Sequence, residues 1–150
     1  MAERLSWERP LIIYPDPVKI GVDFLRPALA ARTEPEAAGA LVVAAMPSIW
    51  PVDEDTNMRR PMVVLLPGGG ISTVASIDRP RLDVRIWHSD QYAGAALAQL
   101  VRGLLHTMAG RGPVRGVREF LGPTYIPDPE TGAPRYLLTV ELTVRGVMSS

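Results

Sequence analysis

Cysteine is absent from the 150 residues. That excludes disulfide frameworks, thiolate zinc sites and a cysteine nucleophile, although it leaves the redox compartment open, because secreted chains can also lack the residue. Histidine is almost absent too: His88 and His106 are the only two. Lysine occurs once, as Lys19, and every other basic residue is arginine. Arginine suits phosphate and interface work. With Ala, Gly and Pro also abundant, however, the simpler reading is a GC-rich coding sequence. No apolar run is long enough to span a bilayer, and the opening "MAERLSWERPLIIYPDP" has no signal-peptide core. A soluble chain made in the cytosol is expected. Nor does one sign of charge dominate: 16 basic residues balance 16 acidic ones, which argues against broad non-specific nucleic-acid binding.

What is present is enough for one domain. A chain of this size buries roughly 68–70% of the surface its unfolded form exposes, so it needs no covalent staple. Residues 1–15 read as an arm whose apolar patch, Leu11 to Tyr14, lies between Pro10 and Pro15. Residues 16–146 read as a single α+β domain, and 147–150 as a C-terminal tail. In "DPVKIGVDFLRPALAAR", Asp16 is a helix cap and Pro17 a first helical residue. Val18, Val22, Leu25 and Leu29 share one face, and Pro27 is expected to kink or end the helix. "ALVVAAM" and "MVVLL" are short buried strands separated by the loop "PSIWPVDEDTNMRRP", and "ISTVASI" is a third strand or a linker. "RLDVRIW" alternates, with Leu82, Val84 and Ile86 on one side. A second helix begins near Asp90 with a wide apolar stripe of Leu97, Leu100, Val101, Leu104, Leu105 and Met108, and Leu97, Leu100, Val101 and Leu104 are expected against Val84, Ile86, Val140 and Leu142. A hairpin across "PDPETGAP" closes the chain. In its second strand Tyr136, Leu138, Val140, Leu142 and Val144 face inward, while Thr139, Glu141, Thr143 and Arg145 face outward. Strands mostly follow strands. The expected fold is therefore an antiparallel or mixed sheet of four to six strands, with two main helices packed on one face.

Two stretches invite a catalytic reading. "HSD", residues 88–90, holds the residue types of a hydrolase triad. Three consecutive residues at a strand end cannot normally aim nucleophile, base and carboxylate at one another, and a helix cap explains them more simply. "PGGG", residues 67–70, follows an apolar strand as a phosphate loop would. It leads into β-like sequence rather than a helix N-terminus, so a turn or bulge is expected. The acidic run Asp53, Glu54, Asp55 lacks the alternation and glycine of a calcium loop. No catalytic, cofactor-binding or metal residue is assigned, and no cofactor is expected.

The segments "YPDPVKIGVDFLRPALAAR", "RPMVVLLPGGG", "DRPRLDVRIWHSDQYAGAALAQLVRGLL" and "GPTYIPDPETGAPRYLLTVELTVRG" together resemble the tail terminator, or tail completion, proteins of long-tailed bacteriophages, especially those of actinobacterial phages. The resemblance covers roughly residues 14–146 and is one of elements and turns. It implies a non-enzymatic virion protein, assembled in the host cytoplasm. Such a protein forms a homo-hexameric ring on the head-proximal end of the tail tube and stops tube polymerisation. Its partners would be the major tail tube protein and the head-tail connector or stopper. Genomic DNA would pass through the lumen without specific binding, and no membrane is involved. The expected partner-facing residues are Asp53, Glu54, Asp55, Arg59 and Arg60 of the long charged loop, with Thr139, Glu141, Thr143 and Arg145 of the last strand. The loop is expected to be mobile until it docks, because an unstructured loop of that length in a compact domain is usually functional or disordered. The competing expectations are a small hydrolase or phosphate-binding enzyme using "PGGG" and "HSD", or another neck or connector component. Stoppers tend to be all-β, which the helix at 90–109 opposes.

Overall fold

A computed structural model describes residues 11–70 and 76–149. The chain runs β1 (Leu11–Ile13), α1 (Pro17–Ala30), a 3₁₀ turn (Pro35–Ala37), β2 (Leu41–Val43), β3 (Met62–Gly70), β4 (Ile77–Asp78), β5 (Pro80–Trp87), α2 (Gln91–His106), β6 (Val114–Tyr125), β7 (Arg135–Arg145) and β8 (Val147–Ser149). It is an α+β fold. Most of "ISTVASI" lies outside the described residues, and only its last residue, Ile77, enters a strand, β4.

Local chemistry starts both helices. The Asp16 carboxylate accepts from the Val18 N–H at 2.9 Å, and Pro17 takes the first helical position, where its missing N–H costs nothing. Asp90 does the same for α2, accepting from the Ala93 N–H at 2.8 Å. Helix α1 does not break at Pro27 but continues through it to Ala30. Pro27 and Asp23, whose carbonyl a normal residue would have engaged, are both exposed. Water can therefore solvate the freed carbonyl.

The main sheet mixes one parallel pair, β2 with β3, with antiparallel pairs elsewhere. Val144 pairs with both Asp78 and Val114, so β4 and β6 lie on opposite sides of β7. The lateral order is thus β2, β3, β5, β7, β6, with β4 extending the β5 position. Both helices pack on one face. Val22, Leu25 and Leu29 of α1 and Leu97, Val101 and Leu105 of α2 meet Val63, Leu65, Leu82, Val84, Ile86, Val140 and Leu142 in a single core. Helix α2 is rotated slightly from the expected stripe. Gly94, Leu97, Ala98, Val101 and Leu105 are its buried residues, and Leu100 and Leu104 form a half-buried flank. A second, smaller core lies on the opposite face, where Met62, Val64 and Trp87 are covered by Trp50 and Ala133.

Three further features bear on the loop, the arm and the tail. Residues 44–61 owe their length to topology, since a parallel pair needs a crossover of a dozen or more residues, and this one makes it without a helix. That loop is also braced internally, by Trp50 Nε1 donating to the Arg60 carbonyl at 2.6 Å and by the bridge between Val52 and Arg59. Finally, the arm and the tail are not separate appendages. Leu11, Ile12 and Ile13 pair antiparallel with Ser149, Met148 and Val147 in a two-stranded ribbon of their own. Among the described residues no helix is long and apolar enough to cross a membrane.

Candidate functional site

The triad types of "HSD" are occupied with structure. The Asp90 N–H donates to His88 Nδ1 at 3.1 Å, and the Glu36 backbone carbonyl lies close to the ring. Nδ1 is thus engaged, and the imidazole acts as a strut between the 3₁₀ turn and the start of α2. Burial holds its pKa below the ordinary value, against the raising effects of the Glu36 carbonyl and the Asp90 and Glu36 charges. The Asp90 carboxylate is the helix cap. "PGGG" is the end of β3, and the register with β5 shifts between Pro67 and Gly70, as a bulge requires. Gly68 leaves no room for a Cβ, which would lie 2.7 Å from Asp83 Oδ1. Among the described residues no three His, Asp or Glu side chains converge on a point.

What remains uncovered is surface. The crossover loop covers the β3 part of the helix-free face, and the β5–β7–β6 part carries a polar ladder. Arg81 stands opposite Glu141, and Asp83 opposite Thr139. The Thr139 hydroxyl donates to Asp83 Oδ1 at 2.9 Å, and Glu141 pairs with Arg118 at 3.1 Å. The bulge between Glu119 and Leu121 turns both Phe120 and Leu121 to this face. The Arg81 guanidinium stacks 3.7 Å from the Phe120 ring centre, and Leu121 lies beside Asp83, Arg85 and Thr139. Glu119 points the other way and pairs with Arg102 of α2 at 2.5 Å.

The expected partner residues therefore fall into two groups that the fold does not bring together. Thr139, Glu141 and Thr143 are half-buried in the ladder, and Arg145 is exposed at its end, beside Gly146 and Val147. In the crossover loop the Asp53 carboxylate accepts from the N–H groups of Asp55 and Thr56, at 2.8 and 3.1 Å, shaping a turn that puts Asn57 at φ 57°. Glu54 and Asp55 project into solvent. Arg59 stacks 4.9 Å from the Trp50 ring centre, and Arg60 Nε donates to the Gly39 carbonyl at 2.7 Å. Among the described residues the acidic and basic halves of the loop form no ion pair with each other: Arg60 holds the loop to the body, Arg59 stacks within it, and Glu54 and Asp55 face outward. A cleft of about 270 Å³ separates this turn from His88 and Ser89.

Sequence reasoning missed two features. Asp128 pins the hairpin loop, its carboxylate accepting from Trp87 Nε1 at 3.1 Å and from the Glu130 N–H at 2.9 Å. Those bonds, the Glu130 one first, hold its pKa below the usual carboxylate range. The Asp two residues before Glu130 in "PDPETG" was a visible turn signal. The other is the apolar exposure of Phe120 and Leu121, which depends on a bulge that the periodicity does not reveal. In comparisons with protein-family models and with curated proteins, the chain matches none.

Proposed function

We propose that this chain is a structural, non-enzymatic protein that works through its surfaces, as a ring-forming tail terminator of a long-tailed bacteriophage. One observation carries the reading beyond the resemblance. The β1–β8 ribbon forms its own sheet, apart from the main one, and Leu11, Ile13, Val147 and Met148 are exposed on it. A two-stranded ribbon is marginal in water by itself, and exposed apolar side chains grouped at one place mark a contact surface. A terminator needs such a surface to seat on the tail tube or the connector. The engagement of His88 Nδ1 and the Asp90 carboxylate at the start of α2, and the strand-end bulge at "PGGG", favour the structural reading over the enzyme alternative.

Removing the gene from its phage should give filled heads with overlong or unjoined tails. Resupplying the chain with Leu11→Asp and Ile13→Asp should fail to restore joining, although the protein folds, because the charges disrupt only the ribbon surface. Virions with joined tails of fixed length in the knockout would overturn the terminator reading. Full rescue by the ribbon variant would remove the ribbon from it.

A further inference from the structure

We infer that copies of this chain dock head to tail, with the crossover loop 44–61 of one copy seated against the β6 flank of the next. The inference rests on the ring-forming reading and names the two surfaces that would close the ring. A ring of identical subunits requires heterologous contacts, in which two different patches of the same chain match. The helix-free side presents two such patches, one on the crossover loop and one on β6. The loop exposes Ile49 (79%) and Met58 (61%) around the solvent-facing acids Glu54 and Asp55. Strand β6 exposes Phe120 (53%) and Leu121 (45%) near Arg115 and Arg118. Apolar surface meets apolar surface, and acid meets base.

The charges are free for that use. Among the described residues neither Glu54 nor Asp55 has an ion pair, and Arg115 has none either. Arg118 bonds Glu141 through one nitrogen while its side chain stays 73% exposed. A chain with no net charge thus carries exposed, unpaired acids on the loop, beside Arg59, and an exposed, unpaired Arg115 on β6, which favours its own kind as partner over a uniformly charged one.

The two edges of the sheet also differ as backbone. At β2 the Arg26 guanidinium of α1 donates to the Val42 carbonyl at 2.8 Å, closing that edge to strand addition. Between Arg115 and Leu121 no described group caps the outer edge of β6, and the register shifts on either side of Gly116–Glu119 interrupt it as a template. The contact is accordingly one of side chains, loop against flank, and not a continuous sheet running around the ring.

The cysteine-free chain makes the test direct. Met58→Cys and Leu121→Cys are prepared as separate full-length proteins, their folds checked by circular dichroism, then mixed at millimolar concentration and oxidised. The mixed disulfide should form in large excess over either homodimer, and 1 M salt should reduce it, since the Debye length falls to about 3 Å there. Arg115→Glu with Arg118→Glu should abolish association, and mixing that protein with Glu54→Arg, Asp55→Arg chains should restore it. Oligomers that cross-link through Leu121→Cys to Val147→Cys, or only through like pairs, would overturn the flank contact while leaving a ring intact. A protein that sediments as a monomer at that concentration and gives no cross-link would overturn the contact and the ring reading together.

Discussion

Gly21 is where helix α1 comes closest to the sheet. A Cβ added there would lie 2.7 Å from Leu65 Cδ2 and 2.8 Å from Leu82 Cδ2. Both leucines are fully buried in the principal core, so their methyl groups can yield only by displacing other packed atoms. Gly21→Ala therefore sets two effects against each other. Alanine gains about 0.8–1.0 kcal/mol over glycine in a helix interior, and forcing an extra carbon into a close-packed core costs about 1–3 kcal/mol. The expected net is a loss of about 1 kcal/mol, the difference of those two central values. Gly103 of α2 supplies the control, because a Cβ there would meet nothing within 4 Å. Gly103→Ala should keep the propensity gain and stabilise by roughly 1 kcal/mol. Urea unfolding of the three proteins, with equal slopes, measures both changes. For a domain of this size the melting temperatures should move by about 2–4 °C per kcal/mol, in opposite directions. If Gly21→Ala stabilised as much as Gly103→Ala, α1 would not be resting on Leu65 and Leu82, and the order of layers would be wrong.

Two other perturbations test the core and the strut. Val101→Asp should prevent folding, because Val101 is fully buried and its charge would have no partner, whereas half-buried Leu100→Asp should give folded protein of lower melting temperature; soluble, folded Val101→Asp would refute the α2 face. Because the folded His88 pKa lies below its ordinary 6.5, the unfolded chain takes up the proton first as pH falls. Its contribution to stability is therefore full above about pH 6.5, declines as pH drops through that value, and levels off once the folded ring titrates. His88→Gln should flatten that part of the stability profile, and an unchanged profile would remove the strut.

The features legible in the sequence were those decided by neighbouring residues. Asp16 and Asp90 announce helices because capping is settled within three residues. Tyr136 to Arg145 announces a strand because its alternation is uninterrupted. Glycines 68–70 suggested a bulge, and the register shift places one there. Pairing between distant segments was not legible. Nothing local tells Leu41–Val43 to run parallel to Met62–Val64, so residues 44–61 looked longer than a loop should be, when their length is what that pairing demands. Nothing local joins Leu11 to Ser149 either. Small angular differences also matter: within the wide apolar stripe of α2, Leu97, Val101 and Leu105 reach the core while Leu100 and Leu104 stop at its flank. The candidate surface was half legible, with the acids of the loop visible as charge and the apolar flank of β6 hidden by a bulge.

The ribbon has a mechanical consequence. Leu11 pairs with Ser149 at its far end and Ile13 with Val147 at the near end, so the two strands leave the body side by side. Tension applied through residues 11 and 149 acts across the rungs one at a time, as on a zipper, and not along all of them at once. Such a ribbon peels open under small force before any strain reaches the β3–β5–β7 ladder. Force drawn through the ribbon would thus be spent at a sacrificial seam, and the folded body behind it would be the last part to feel the pull.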